Sequence, residues 1–226
     1  MEKKMKTLEE KIGYHFKDKE LLKLALTHSS KKGIRVNNER LEFLGDAVLE
    51  LVISEYLFAN KKLSEGKMTK LRASIVCAES LSKAAQRLHL GSYLILGKGD
   101  AVTGGRDRRS NLANAFEAVL GAIFKDSNFE VVRTIILNLL EENIKNALEG
   151  KLFKDYKTTL QEQIQKHGEN VIEYVLIDAI GPEHDKVFQV ELQINHISQY
   201  SGKGKSKKEA EQNAAKAYLI HAAKGN

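Results

Sequence analysis

Residues 37–58, Asn37 to Phe58, read NNERLEFLGDAVLELVISEYLF, and their spacing predicts one amphipathic helix around which the first half of the chain is built. At about 100° per residue, Leu41, Leu44, Val48, Leu51 and Val52 fall on one stripe, while Glu39, Glu42, Asp46 and Glu50 crowd into roughly an 80° arc on the far side. Like charges three and four positions apart destabilise a helix by about 0.2–0.5 kcal/mol per pair. No Lys or Arg stands four residues from Glu42 or Asp46 to relieve them. Two explanations are open. A solvated acidic face, with Asn38 as N-cap and the early acids answering the positive helix end, needs no function, and periodicity alone favours it. A hard divalent cation such as Mg²⁺ takes oxygen ligands, commonly one or two carboxylates with water and substrate phosphate, so Glu42 and Asp46, one turn apart, also make half of such a site.

The string itself decides between them. ERLEFLGDAVL, Glu39 to Leu49, resembles the signature motif of the ribonuclease III family of double-stranded RNA endonucleases. That resemblance implies an all-α endonuclease domain that cuts double-stranded RNA with Mg²⁺, or Mn²⁺ as a substitute, to 5′-phosphate and 3′-hydroxyl ends, in the processing of ribosomal and other RNA.

The global properties are compatible with this. A length of 226 residues fits one large or two small domains, and 42% hydrophobic with 29% charged residues describes an ordinary globular chain. The start, MEKKMKTLEE, lacks the apolar core of a signal peptide, and no run approaches the roughly 18 apolar residues of a membrane span. A cytoplasmic protein without a membrane partner is expected. The single cysteine, Cys77, cannot form an internal disulfide and reads as a small buried hydrophobe. Net charge is +6, which permits an anionic partner without identifying one.

Taken in order, the chain reads as helices through its first 150 residues. Asp18 caps a short helix, KELLKLALTH, and His28 at its end reads as a structural hydrogen-bonding residue. KKLSEGKMTKLRASIVCAE breaks at Gly66, resumes through Leu71, Ile75 and Ala78, and is followed by a helix closing at Gly91. GKGDAVTGGRDRRS lacks the strand–helix context and the Lys-Ser/Thr of a P-loop; it is expected to be a loop whose Arg106, Arg108 and Arg109 face solvent or an RNA backbone. Ser110 is expected to cap NLANAFEAVLGAIFKD, with Leu112, Phe116, Val119 and Ile123 buried and Asn114, Glu117 and Gly121 on one narrow face. A glycine beside two oxygen donors leaves room for a close neighbour, and packing this face on Glu42 and Asp46 would assemble an oxygen-lined metal site. A last helix runs from about Asn128 to Leu148, with Val131, Ile135, Leu139 and Ile144 inward, and ends at Gly150.

By resemblance, Glu42, Asp46, Asn114 and Glu117 occupy the family's four metal-binding positions and Glu39 is an associated acid used in substrate handling. The segment SEGKMTKLRA resembles the one that carries an accessory acid near the metal, which adds Glu65 to the catalytic set. The family usually has Asp where this chain has Asn114, so a non-catalytic double-stranded RNA-binding protein on the same fold is the alternative. The resemblance also implies a homodimer with Phe43 entering the partner; intrasubunit core is the other reading of Phe43.

The last part changes character after GKLFKDY. TTLQEQIQKHG reads as a polar helix closed by Gly168, EYVLIDAI and KVFQVELQIN as strands, the second alternating Phe188, Val190, Leu192 and Ile194 with Gln189, Glu191 and Gln193. A third strand leads to GKGKSKKEAEQNAAKAYLIHA, where Ser206 and Glu209 form a capping box and Lys207 and Lys208 occupy the first helical turn. Residues 154–226 hold 10 Lys+Arg and 10 Asp+Glu, so a phosphate-binding surface there must come from clustering. The order αβββα with KTTLQE, GPEH and GKGKSKKEAEQNAA resembles a double-stranded RNA-binding domain, which makes the fold an all-α endonuclease domain (1–150) followed by an α+β RNA-binding domain (151–226). By that resemblance Thr158, Gln161, Glu162 and Gln165 face one minor groove, His184 the next, and Lys203, Lys207 and Lys208 the phosphates between.

Overall fold

A computed structural model of the chain describes residues 2–33, 36–150, 156–166, 170–182 and 186–222. It divides into two compact units, residues 1–153 and 154–226. The described part of the first unit is helical: α1 (Glu2–Ile12), α2 (Lys19–Ala25), α3 (Glu39–Phe58), α4 (Glu65–Val76), α5 (Ala78–Arg87), a short α6 (Lys98–Val102), α7 (Arg109–Asp126), α8 (Phe129–Leu139) and α9 (Glu141–Leu148). The second runs α10 (Tyr156–Gln165), β1 (Ile172–Ile180), β2 (Val187–Ile194), β3 (Ile197–Gly204) and α11 (Lys207–Ala222).

The centre of the first unit is α7 rather than α3. Its sequence is apolar on almost every side, and Leu112, Ala113, Ala115, Phe116, Ala118, Val119, Leu120, Gly121, Ala122 and Ile123 are all buried, as expected of a helix whose polar face is only the narrow one of Asn114 and Glu117. Helices α2, α3, α5 and α8 pack around it. Full burial of a side chain such as Leu49, Ile53 or Phe116, each at most 1% exposed, contributes roughly 1.5–3 kcal/mol. The closest approach is between α3 and α7. A Cβ on Gly45 would overlap the Glu117 carbonyl oxygen, and one on Gly121 would overlap the carbonyl oxygen of Leu41. The neighbour expected at Gly121 is therefore the main chain of α3, and Gly45 makes the fit reciprocal.

Several expectations of the sequence need correction. Helix α1 was not foreseen; Leu8 and Ile12 bury it. Asn38 flanks α3 but its side chain does not cap it; the Asn37 carboxamide accepts the Glu39 N–H at 3.0 Å, and the buried Asn38 donates its own N–H to the Thr27 carbonyl at 2.9 Å. Leu51 is 57% exposed, so the inward stripe of α3 passes through Leu41, Val48, Leu49, Val52 and Ile53 instead. Gly66 lies in the first turn of α4, and α5 ends at Arg87 before His89 turns left-handed at φ 55. Ser110 is already inside α7, which starts one residue earlier. The long last helix is broken at buried Leu140 into α8 and α9. Cys77 is half-buried at the α4–α5 junction. Asp18 does cap α2, accepting the Glu20 N–H at 2.9 Å.

In the second unit the sheet is antiparallel in the order β1-β2-β3. Val190 and Leu192 are buried, and Leu192 packs with Leu160, Ile164, Ala214 and Ala215 from the two helices. The alanines let α11 lie directly on β3: a Cβ on Gly202 would overlap Ala210 and Ala214 main-chain atoms. At the start of α11, Ser206 Oγ accepts the Glu209 N–H at 3.2 Å, while the Glu209 carboxylate takes the N–H of Lys205 at 2.7 Å, not that of Ser206. The box is thus displaced by one residue. Gly168 and His184 lie outside the described residues.

Candidate functional site

Glu39, Glu42 and Asp46 project from successive turns of α3, and Asn114 and Glu117 from α7. The glycine crossing determines how they meet. Gly45 sits between Glu42 and Asp46 in sequence, and its missing side chain is what lets the turn bearing Glu117 rest on that part of α3. Asn114 stands beside the Glu42 carboxylate and favours its charged form. Burial, followed by the charges of Asp46 and Glu42, pushes the Glu117 carboxyl up to about 8. Glu42 is also raised, by burial first and then by Glu39 and Asp46, with the Asn114 amide and His28 offsetting part of the rise. The pattern is that of like charges held together at a partly dry helix crossing.

The donor set, three carboxylates and an amide, suits a hard cation in type and charge. The side chains do not yet converge on one point: among the described residues no three His, Cys, Asp or Glu side chains form a ready cage. These carboxylates repel one another without being turned onto a shared centre.

The other candidates divide. Glu39 is exposed at the start of α3. Glu65 stands apart from the four: exposed at the start of α4, it accepts from Thr69 Oγ1 at 3.0 Å and borders a groove of about 350 Å³ with Leu51, Phe58, Met68 and Arg72. Phe43 is 80% exposed, which excludes its reading as intrasubunit core. Among the arginines of the 97–110 segment, Arg106 is half-buried and structural, contrary to expectation, whereas Arg108 and Arg109 are exposed as expected, each with an acidic neighbour. Arg106 donates to the carbonyls of Gly91 and Leu94, both at 2.9 Å, Arg108 pairs with Asp100 at 2.7 Å, and Arg109 stands 4.0 Å from Glu79. Asp100, which sequence reasoning passed over, is the hub of that segment; nothing in its spacing marked it.

In the second unit, Thr158, Gln161, Glu162 and Gln165 follow the helical period and share one side of α10, opposite buried Leu160 and Ile164. Gln161, Glu162 and Gln165 are exposed and Thr158 is half-buried. Lys203 on β3 and Lys207 and Lys208 in the first turn of α11 are all exposed. Cations there oppose the helix dipole, whereas a phosphate at the same place is favoured by it.

Comparison with known proteins agrees with this division. Residues 18–144 match the family model described as Ribonuclease-III-like, and residues 156–221 match the double-stranded RNA binding motif. Ribonuclease 3 of Caldanaerobacter subterraneus subsp. tengcongensis is 52% identical over 213 residues, covering 92% of this chain and 93% of the relative. Ribonuclease 3 of Nitratiruptor sp. is 48% identical, with 96% of each covered. The nuclease domain of ribonuclease III from Campylobacter jejuni, a structure concerned with flexibility in its dimer-forming region, superposes with a TM-score of 0.59 at 48% identity, covering 61% of this chain and 96% of that domain. With both units matched in order and relatives aligned over nearly their whole length, the chain belongs to the ribonuclease III family of double-stranded RNA endoribonucleases.

Proposed function

We propose that the chain hydrolyses double-stranded RNA in a Mg²⁺-dependent reaction at the cluster of Glu42, Asp46, Asn114 and Glu117, leaving 5′-phosphate and 3′-hydroxyl ends. The observation that carries this is the mutual repulsion of the Glu42, Asp46 and Glu117 carboxylates at the glycine crossing. A divalent ion relieves it, and those three carboxylates with the Asn114 amide oxygen would hold it. When bound, such an ion makes a water nucleophilic near neutral pH and offsets charge on the phosphoryl and leaving oxygens. The chain's own residues supply orientation: α3 and α7 hold the donors, and Glu39, exposed one turn ahead of Glu42, handles the substrate. The second unit supplies affinity through α10 and through Lys203, Lys207 and Lys208, reading duplex shape rather than sequence. A binding-only reading, motivated by Asn114, is disfavoured because Glu42, Asp46 and Glu117 remain and the family is one of nucleases.

A duplex has two strands and the chain carries one such cluster, so paired cuts call for a two-fold dimer. We place the partner's Phe43 in the groove between α3 and α4 that Leu51, Phe58 and Met68 line. This also accounts for Glu65, which borders the groove and not its own chain's cluster: the docking sets it beside the partner's Glu42.

The test is incubation of long duplex RNA with the protein and Mg²⁺, followed by gel electrophoresis, for the protein and for Glu117→Gln. The substitution should abolish cleavage and leave duplex binding nearly intact, because binding rests on backbone and 2′-hydroxyl contacts elsewhere. Cleavage at near the original rate would remove Glu117 from the site.

A further inference from the structure

Three consecutive residues of α11, Glu211, Gln212 and Asn213, reach three different parts of the second unit. The Glu211 carboxylate accepts from Lys157 Nζ at 2.5 Å, and that ammonium also lies 4.3 Å from the centre of the Tyr174 ring on β1. The Gln212 side-chain oxygen takes the N–H groups that open α10, those of Tyr156 at 2.8 Å and Lys157 at 3.4 Å. A main-chain N–H can only donate, so the oxygen of the carboxamide, not its nitrogen, faces them. The Asn213 amide donates to the Lys203 carbonyl on β3 at 2.8 Å. All three residues are half-buried. The helix that carries them is seated closely on the sheet, because Gly202 and Gly204 bring β3 against the main chain of α11 at Ala210 and Ala214.

We propose that Gln212 and Asn213 are positioning residues for duplex RNA: they set the distance from α10 to Lys203, Lys207 and Lys208, and that distance selects A-form geometry. Lys207 and Lys208 stand in the first turn of α11, one turn ahead of the residues that hold α10 and Lys203, so a single helix fixes all these elements relative to one another. A domain of this kind touches two successive minor grooves and the phosphates of the major groove between them. That major groove is deep and narrow in A-form RNA but about 12 Å wide in B-DNA. Groups spaced for one duplex therefore miss the other. The proposal rests on the reading of α10 and these lysines as the RNA-binding surface, and it adds two residues that act through others instead of touching the RNA themselves.

The test compares two isosteric substitutions that add the same charge one residue apart. In Gln212→Glu a carboxylate still accepts the N–H groups of α10, whereas in Asn213→Asp no donor is left for the Lys203 carbonyl. Affinities for a duplex RNA and for a DNA duplex of the same sequence are measured in EDTA at one salt concentration, with Tm recorded, for the full chain, both variants and Gln212→Ala. An added negative charge weakens both duplexes alike and cancels in the ratio of the two affinities. That preference for RNA should fall about fivefold in Asn213→Asp and in Gln212→Ala, the worth of one neutral hydrogen bond, and change less than about twofold in Gln212→Glu. The isosteric pair keeps side-chain volume and decides the question should Gln212→Ala lower Tm. An unchanged preference in Asn213→Asp, or an equal fall in Gln212→Glu, overturns the positioning role. If instead the unmutated chain binds RNA and DNA duplexes equally, the reading of this unit as the RNA-binding surface fails.

Discussion

The raised carboxyl of Glu117 makes the stability of the metal-free protein depend on pH in an unusual direction. Ordinary paired carboxylates stabilise a fold as pH rises, but a group whose folded pKa lies above its unfolded value binds more protons in the folded state, so stability falls as it ionises. Glu117 goes from an ordinary 4.5 to about 8, which sets the window between pH 5 and 8.5. At 1.36 kcal/mol per unit, nearly the whole shift is traversed there, a ceiling of ~4 kcal/mol. Glu117 keeps some solvent contact and titrates together with Glu42, so about half that, ~2 kcal/mol, is expected. For a unit of this size that lowers Tm by roughly 5–8 °C. Glu42, raised by burial and by Glu39 and Asp46, acts in the same direction, whereas Glu9, Asp126 and Tyr14 fall outside the window. Burial raises the Glu9 and Asp126 carboxyls, but their hydrogen bonds and the lysines beside them outweigh it and hold both below the usual range, so their contribution is lost below about pH 4.5. Tyr14, pushed up to about 12 by burial and by Asp126, acts only above pH 10. The assay is thermal unfolding in EDTA from pH 5 to 8.5, with Glu117→Gln alongside. Tm should decline with pH in the protein, decline much less in the variant, and recover at pH 8 with Mn²⁺ through binding to the folded state. A Tm that rises with pH, or an identical decline in Glu117→Gln, would refute the reasoning.

Other outcomes follow from single contacts. Gly45→Ala places a Cβ on the Glu117 carbonyl and should cost roughly 3 kcal/mol or more, at or above the upper end of overpacking because the neighbour is main chain; chemical denaturation reads it, and a loss below 1 kcal/mol would mean the helices can part cheaply. Asn114→Asp restores a negative charge towards the ion, so the Mg²⁺ concentration for half-maximal cleavage should fall several-fold, and an unchanged requirement would remove residue 114 from the site. Phe43→Ala should shift the sedimentation profile towards monomer at micromolar concentration, since an exposed aromatic anchor in a groove is worth about 2–4 kcal/mol; an unshifted dimer places the interface elsewhere. Replacing both Lys207 and Lys208 by Ala should weaken duplex RNA binding and reduce the slope of log affinity against log salt by up to about 2, whereas an unchanged slope would mean that they touch no phosphate.

The parts of this molecule that sequence made legible are those with strong local periodicity. The acidic arc of Glu39, Glu42 and Asp46 and the narrow face of Asn114, Glu117 and Gly121 are properties of single helices, and period alone places them. That the two faces meet was readable from Gly121; that Gly45 completes the crossing was not, because a glycine between two acids in a helix has no distinguishing pattern. Leu51 and Phe43 were harder for the opposite reason. Hydrophobicity says that a residue seeks burial but not in which chain, and an interface between copies looks like core until the fold assigns the exposed side. The Asp100 hub was invisible because it joins residues 28, 30, 100, 108 and 111 across three segments. The αβββα pattern was legible from the alternation in β2 and the lysine-rich helix start, with the capping bond of Glu209 off by one residue.

Because α7 is both the most enclosed helix of its unit and the bearer of Asn114 and Glu117, no partial opening can loosen the donors while leaving the fold intact. Peripheral elements such as α1 or the short α6 can fray without disturbing them. Separating α7 from α3, by contrast, exposes the interior of the whole unit, so that motion is available only at a free energy close to that of complete unfolding. Amide protons of α7 should then exchange with solvent at the global rate, and the lifetime of the assembled donors is the lifetime of the folded unit itself.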